Sequence, residues 1–257
     1  MDILLWIFVL IIGLAGSFID SACRMGYGLA TPALILLGFD PIVVIALLLF
    51  SQLFAGFTKT IYYSLYRKIP YAEMEKDMKL NLIYVITGMI GMISSIVLVY
   101  ILPEPFILIY VGFMIMFVGL ISLVKVKITF SPQKFYLISL ISGFNQTLSA
   151  AGYGPLAAYQ EVLKNGDYKK TQPITAIAEA ILSGFGFLLY YIQFGFLLAN
   201  IKFMLILIIT GMIGTPLGAI SSDYLDKRKA KIGIGILSIF LGILLLLYLL
   251  LHTFQLI

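Results

Sequence analysis

The sequence predicts an all-α, polytopic membrane protein built from two inverted repeats, each with a broken-helix hairpin and three further transmembrane helices. Three observations support this prediction: extreme hydropathy, recurring short motifs, and cations that cluster in a few loops. Of the 257 residues, 61% are hydrophobic and 11% are charged, whereas soluble domains carry about 25% charged residues. A water-soluble fold is therefore excluded, and we expect a multi-pass protein of the cell membrane.

Ten apolar runs follow one another along the chain. Eight are long enough to cross the hydrocarbon core, which takes about 20 residues. These are 3–22, 42–66, 80–102, 106–124, 135–151, 174–198, 203–221 and 232–251. The other two, 29–39 and 155–163, reach about half of the core at about 1.5 Å per residue. Each follows a full-length run and a Gly-Tyr-Gly, so we expect a helix that breaks there and turns back inside the membrane.

Short motifs recur in the same order in the two halves. They are Gly-Tyr-Gly at 26–28 and 152–154, Thr-Gly-Met-Ile-Gly at 87–91 and 210–214, and Gly-x4-Phe-x-Gly at 112–119 and 235–242. Chance similarity between apolar segments explains one such match but not several in one order. We therefore divide the chain into a first repeat, 1–130, and a second repeat, 131–257.

Fourteen of the seventeen Lys and Arg residues lie in the four loops 67–79, 125–134, 164–171 and 222–231. Because short cytoplasmic loops are enriched in Lys and Arg, we place these loops inside the cell. The run 42–66 then points inwards and its repeat partner 174–198 points outwards, so the halves are inverted and both termini are outside. No cation precedes the first apolar run, so we expect this run to stay in the membrane rather than to be cleaved as a signal peptide.

The composition also limits the chemistry. One cysteine, Cys23, and one histidine, His252, exclude a multi-Cys zinc site, and we expect no metal and no cofactor. The spans leave no room for a soluble module, so we expect no nucleic-acid partner. The expected partners are the lipid bilayer and a small anionic substrate, and the sequence leaves a homodimer open.

The two hairpin tips are the candidate substrate site. Inverted repeats whose broken helices meet near the membrane midplane are typical of secondary transporters, which hold the substrate between them. Helix starts just after the glycines would turn free N–H groups and positive dipole ends towards each tip. The residues assigned to substrate binding at the tips are Arg24, Gly26, Tyr27, Gly28, Asn145, Gln146, Ser149, Gly152, Tyr153 and Gly154.

Arg24 is the charged member of this set, and a guanidinium can bind an oxyanion through two parallel hydrogen bonds. The alternative is an ion pair with Asp20, four residues earlier, that neutralises both side chains. Lys59 and Glu179 lie inside apolar runs, where an ionisable residue marks a functional candidate. Gln52 shares a helical face with Lys59, and we assign both to the substrate site, although Lys59 has the alternative of extending to the cytoplasmic interface. Asp20 and Glu179 are the candidates for proton coupling or gating.

Each half has a glycine-rich break followed by a short helix that ends in a leucine run and glycine. In the first half this pattern is Gly26-Tyr27-Gly28 through Pro32 to Leu37-Gly38. Over essentially its whole length the sequence resembles the sulfite exporter TauE/SafE family of membrane permeases. It departs from the family pattern in its shortened glycine run and in the cation at the first break. The resemblance implies transport of sulfite, sulfonates or related sulfur-containing anions.

The leading hypothesis is therefore a secondary transporter for a small anion, such as sulfite, an organosulfonate or a related sulfur oxyanion, that works by alternating access. No ATP-binding motif is present, so transport is driven by an ion gradient, with H+ and Na+ as the candidates, or by the substrate gradient, unless a partner subunit supplies the energy. One alternative is a membrane subunit that does not transport. Another is an intramembrane enzyme, but Cys23 has no histidine in its hairpin and His252 lies at the far end of the chain.

Overall fold

The computed structural model describes residues 3–66, 71–124, 131–151, 168–195, 200–222 and 224–253. These residues are helical apart from short connections, and no strand occurs among them, so the predicted all-α class is confirmed. The helices are α1 (Ile3–Cys23), α2 (Gly26–Leu36), α3 (Pro41–Tyr66), α4 (Tyr71–Ile101), α5 (Glu104–Leu123), α6 (Pro132–Ser149), α7 (Tyr168–Phe194), α8 (Ile201–Ser221) and α9 (Lys227–Thr253).

Among the described helices, seven are long and apolar enough to cross a membrane: α1, α3, α4, α5, α7, α8 and α9. Helix α2 has 11 residues and is short, as predicted. Helix α6 differs from the expectation that the run 135–151 is apolar enough to span. Its buried side is polar, which lowers its hydropathy, and includes Ser139, Ser142, Asn145, Gln146, Thr147 and Ser149.

The first hairpin turns earlier than predicted. Helix α1 ends at Cys23 and α2 begins at Gly26, so the turn falls on Arg24 and Met25 rather than on the Gly-Tyr-Gly. Arg24 takes a left-handed conformation, with φ of 61°, at a turn where glycine is the usual residue. Gly26 is needed for close packing instead, because a Cβ there would overlap the carbonyl oxygen of Gly16 on α1.

The end of α6 has the same backbone feature as the end of α1. Ala150 follows α6 with φ of 54°, and it lies as far before the second Gly-Tyr-Gly as Arg24 lies before the first. The rest of the second predicted hairpin, Gly152, Tyr153, Gly154 and the run 155–163, lies outside the described residues.

Corresponding helices of the two halves make corresponding contacts. Helix α8 packs on α1 through Gly214, whose hydrogen faces the carbonyl oxygen of Leu14. Helix α4 packs on α6 through Gly91, which faces the carbonyl oxygen of Leu140. Both the two glycines and the two leucines are repeat partners in the sequence. The two places therefore share the contact between a glycine and a leucine carbonyl, although Oγ of Ser17 lies nearer than that carbonyl at Gly214.

Helices α5 and α9, the last of each predicted repeat, run antiparallel. Gly112 near the start of α5 lies against Gly242 of α9, and Gly119 further along α5 lies against Gly235. Two helices that occupy equivalent places in oppositely oriented halves must run in opposite directions. The inverted repeat and its boundary at residues 130 and 131 stay predictions, and this packing is the arrangement that they require.

The membrane orientation gives a direct test. We expect an epitope tag after Ile257 to be reached by antibody on intact cells, because the cation-rich loops hold their ends of the helices in the cytoplasm. The same tag inserted after Leu225, in the 222–231 loop, should be reached only after the membrane is permeabilised. Protection of the Ile257 tag in intact cells would overturn the inverted topology.

Candidate functional site

A cavity lies where the first hairpin meets the end of α6. Its volume is about 30 Å³, and about 580 Å³ when the open space at its mouth and between the lining atoms is included. Its walls come from α1, α2, α3, α5, α6, α7 and α9, so it joins both halves of the chain. The polar side chains that line it belong to Asp20, Arg24, Tyr27, Gln52, Gln146, Ser149, Glu179 and Ser238.

Most of the predicted site residues line this cavity, Gly28 included. Three others lie elsewhere among the described residues. Gly26 packs on α1, Lys59 lies behind the lining, and the amide oxygen of Asn145 accepts a hydrogen bond from the hydroxyl of Tyr110. Close packing therefore occupies Gly26 and an internal hydrogen bond occupies the amide oxygen of Asn145, and the substrate contacts assigned to both residues stay predictions.

Lys59 joins the two candidate coupling residues in one buried cluster. Its Nζ lies 3.6 Å from Oδ2 of Asp20 and 3.6 Å from Oε2 of Glu179. The whole residue is 3% exposed, so the alternative that it extends to the interface is wrong. Because Asp20 is on α1, Lys59 on α3 and Glu179 on α7, the triad ties together three helices from both halves.

Arg24 has no such partner. Its Nη1 and Nη2 atoms are buried and make no hydrogen bond with any described residue. The alternative ion pair with Asp20 is not what the structure shows, since Asp20 pairs with Lys59. A buried cation without a partner is costly, so this guanidinium is the strongest feature of the site.

A neutral network occupies the side of the cavity formed by α3, α6 and α7. Nε2 of Gln52 donates to the carbonyl oxygen of Ala150 at 2.7 Å, and Oε1 of Gln52 accepts from Oγ of Ser183 at 3.0 Å. Nε2 of Gln146 donates to the same Ser183 oxygen at 2.8 Å and to Oε1 of Gln52 at 3.3 Å. These bonds hold the left-handed end of α6 against the middle of α3.

The two breaks are also tied directly to each other. Oγ1 of Thr31 on α2 donates to the carbonyl oxygen of Ser149 at 2.7 Å. Gly28 approaches Ala151 so closely that a Cβ on the glycine would lie 2.9 Å from the alanine Cβ. The start of α2 therefore lies against the end of α6.

The family model described as Sulfite exporter TauE/SafE matches residues 9–245. The chain belongs to the sulfite exporter TauE/SafE family. No curated protein and no solved structure matches the chain. Family membership and the seven apolar helices support a multi-pass permease of the cell membrane, as the sequence predicted.

In this TauE/SafE family member one wall of the cavity was not predicted. Helix α5 contributes four apolar side chains at helical spacing, namely Val111, Met114, Ile115 and Val118. In the sequence these residues are indistinguishable from a stripe that packs against another helix. Ser238 of α9 also lines the cavity and was not predicted, because an isolated serine in an apolar run does not indicate what it faces.

No group of three or more His, Cys, Asp and Glu side chains that could hold a metal ion occurs in the described ranges. The buried charges of the described residues are two cations and two carboxylates, and these side chains belong to Arg24, Lys59, Asp20 and Glu179. The cavity of this TauE/SafE protein can therefore supply charge, hydrogen bonds and an apolar wall from its own side chains.

Proposed function

We propose that this TauE/SafE family member is a secondary transporter for a small anion, with sulfite, an organosulfonate or a related sulfur oxyanion as the substrate. The observation that supports this function best is the buried guanidinium of Arg24, which lines the cavity and has no partner among the described residues. An oxyanion bound there would remove the cost of the uncompensated charge and would receive two parallel hydrogen bonds.

The start of α2 adds a second source of positive potential. Its first N–H groups have no partner within the helix, and they belong to the Gly-Tyr-Gly that begins at Gly26. Gly28 and Tyr27 line the cavity at this end, so a bound anion would lie near the positive end of the helix dipole. On the opposite side, Gln52, Gln146 and Ser149 offer neutral hydrogen-bonding groups.

We assign proton coupling or gating to the Lys59 triad. A proton on Asp20 or Glu179 would remove one of the two ion pairs of Lys59 and so loosen one contact between α3 and either α1 or α7. Rocking of one repeat against the other would then expose the cavity to alternate sides of the membrane. The alternative is coupling to Na+. Uptake driven by a pH gradient without a Na+ gradient would distinguish proton coupling from Na+ coupling.

The anion site is tested by uptake of radiolabelled sulfite and ethanesulfonate into proteoliposomes. We expect Arg24→Gln to lower the initial rate by at least about tenfold, because it removes a charged donor with two hydrogen bonds. Arg24→Lys should keep part of the rate, since it retains the charge without the fork of donors.

Lys202→Gln provides the control, because Lys202 is an exposed cation at the start of α8. It should transport at the rate of the unmodified protein. Equal uptake by Arg24→Gln and by the unmodified protein would reject Arg24 as the anion site.

A further inference from the structure

Both hydrogen-bond donors and hydrogen-bond acceptors without a hydrogen-bond partner lie around the cavity. On one side, Nη1 and Nη2 of Arg24 are hydrogen-bond donors with no acceptor among the described residues. Oε1 of Gln146 is an acceptor with no donor within hydrogen-bond distance in the same part of the chain, and Oε2 of Glu179 has only its ion pair with Lys59 at 3.6 Å, which is too long for a hydrogen bond. All three residues line the cavity and are less than 10% exposed. A bare anion would satisfy the donors but would leave both acceptors without a donor, which costs free energy in a buried site.

The hydrogen-bond network decides which end of the Gln146 amide lacks a partner. The carbonyl oxygen of Ala150 can only accept, so Gln52 must turn Nε2 towards it and Oε1 towards Gln146. Gln146 must then turn its own Nε2 towards Gln52 and Ser183. Its oxygen is therefore the end without a hydrogen bond.

The buried charges are a second argument against a bare anion as the ligand. Among the described residues, Arg24 and Lys59 contribute two buried positive charges, and Asp20 and Glu179 contribute two negative charges when both are ionised, so this set is neutral. A bare monovalent anion would leave one uncompensated negative charge in a region of low dielectric constant unless Asp20 or Glu179 took up a proton with it. A ligand with one negative and one positive group would leave the set neutral.

We propose that the substrate is a compact zwitterion. Its oxyanion group binds the guanidinium of Arg24, and its ammonium group donates hydrogen bonds to Oε1 of Gln146 and Oε2 of Glu179. This inference rests on the proposed transport function and narrows its substrate class to small amino acids whose acidic group is a sulfonate, a sulfinate or a carboxylate.

Two pairs of compounds test the ammonium group. The first pair is ethanesulfonate and 2-aminoethanesulfonate, and the second is propionate and 3-aminopropionate. Binding is measured by isothermal titration of the purified protein at pH 7, where both amines carry a proton. We expect the amino compound of at least one pair to bind at least about tenfold more tightly than its partner, because it adds hydrogen bonds between charged groups.

Variants then locate the ammonium group. Gln146→Met removes the acceptor oxygen at similar side-chain length and should reduce the preference for the amino compound to below about threefold. Ser183→Ala is the matched control, because it breaks the same network but leaves Oε1 of Gln146 in place. The preference should survive in this control. If Gln146→Met does not fold, the comparison of the two pairs on the unmodified protein decides by itself.

The outcomes separate this inference from the function that it rests on. Equal binding of both members of each pair, with uptake that depends on Arg24, would overturn the zwitterion and leave anion transport in place. Absence of uptake for sulfite and for all four compounds would overturn the proposed function itself. Tighter binding of the amino compounds that Gln146→Met does not change would place the ammonium group elsewhere and reject Gln146 as its acceptor.

Discussion

Replacement of Lys59 by methionine is expected to lower the free energy of unfolding by about 3–5 kcal/mol, the cost of removing one partner from a buried ion pair. The structure gives the reason, since Lys59 pairs with Asp20 and Glu179 at 3.6 Å each and the triad is buried. Without the lysine, two carboxylates remain close together with no cation between them. Unfolding in mixed micelles, followed by circular dichroism as the denaturing detergent increases, measures the change.

A neutralised triad separates charge from packing. In the variant that combines Lys59→Met with Asp20→Asn and Glu179→Gln, no charge is left within the triad, but Arg24 loses the negative charge that balances it, so part of the lost stability should return. Lys202→Met is a control for the loss of an exposed cation and should stay within about 0.5 kcal/mol of the unmodified protein. If Lys59→Met alone is as stable as the unmodified protein, the triad does not hold α1, α3 and α7 together.

The triad also shows what the sequence can predict about this site. Asp20, Lys59 and Glu179 were recognisable because each interrupts a long apolar run, where a charge needs an explanation. Their mutual contact was not predictable, since it depends on the faces that three helices from distant parts of the chain turn to one another. The same limit applies to Arg24, whose residue type indicated an anion site, because the packed helices determine that its Nη1 and Nη2 have no hydrogen-bond partner among the described residues.

The turn between α1 and α2 shows a different limit of prediction from the sequence. Glycine is the usual residue at positive φ, so the Gly-Tyr-Gly was the natural place for the break. In the structure Arg24 takes that conformation, and Gly26 allows α2 to approach α1. Conformational freedom and small size are two separate uses of glycine, and a single sequence does not distinguish them. The helices themselves were predictable, because the length of an apolar run follows from the thickness of the membrane.

Two glycines that allow close packing of helices should have equal and large effects on stability when they are replaced by alanine. We expect Gly91→Ala and Gly214→Ala each to lower the free energy of unfolding by about 3 kcal/mol, the upper end of the cost of overpacking. At Gly91 the new methyl group would press on the backbone of Leu140, and at Gly214 it would press on Oγ of Ser17 and on the backbone of Leu14. Backbone atoms cannot rotate away, so the helix pairs α4 with α6 and α1 with α8 would have to separate.

Gly233→Ala is the matched control on α9. No described atom lies within 4 Å of the position of its Cβ, so alanine meets no obstacle and should raise stability by up to about 1 kcal/mol through its better helix propensity. Unfolding of the three variants under the same conditions compares them directly. Because Gly91 and Gly214 are repeat partners, equal losses are expected if the two helix pairs are equivalent. A large loss at one glycine and none at the other would show that the pairs differ in their packing, and the proposed twofold relation between the halves would then lose the contacts that support it best.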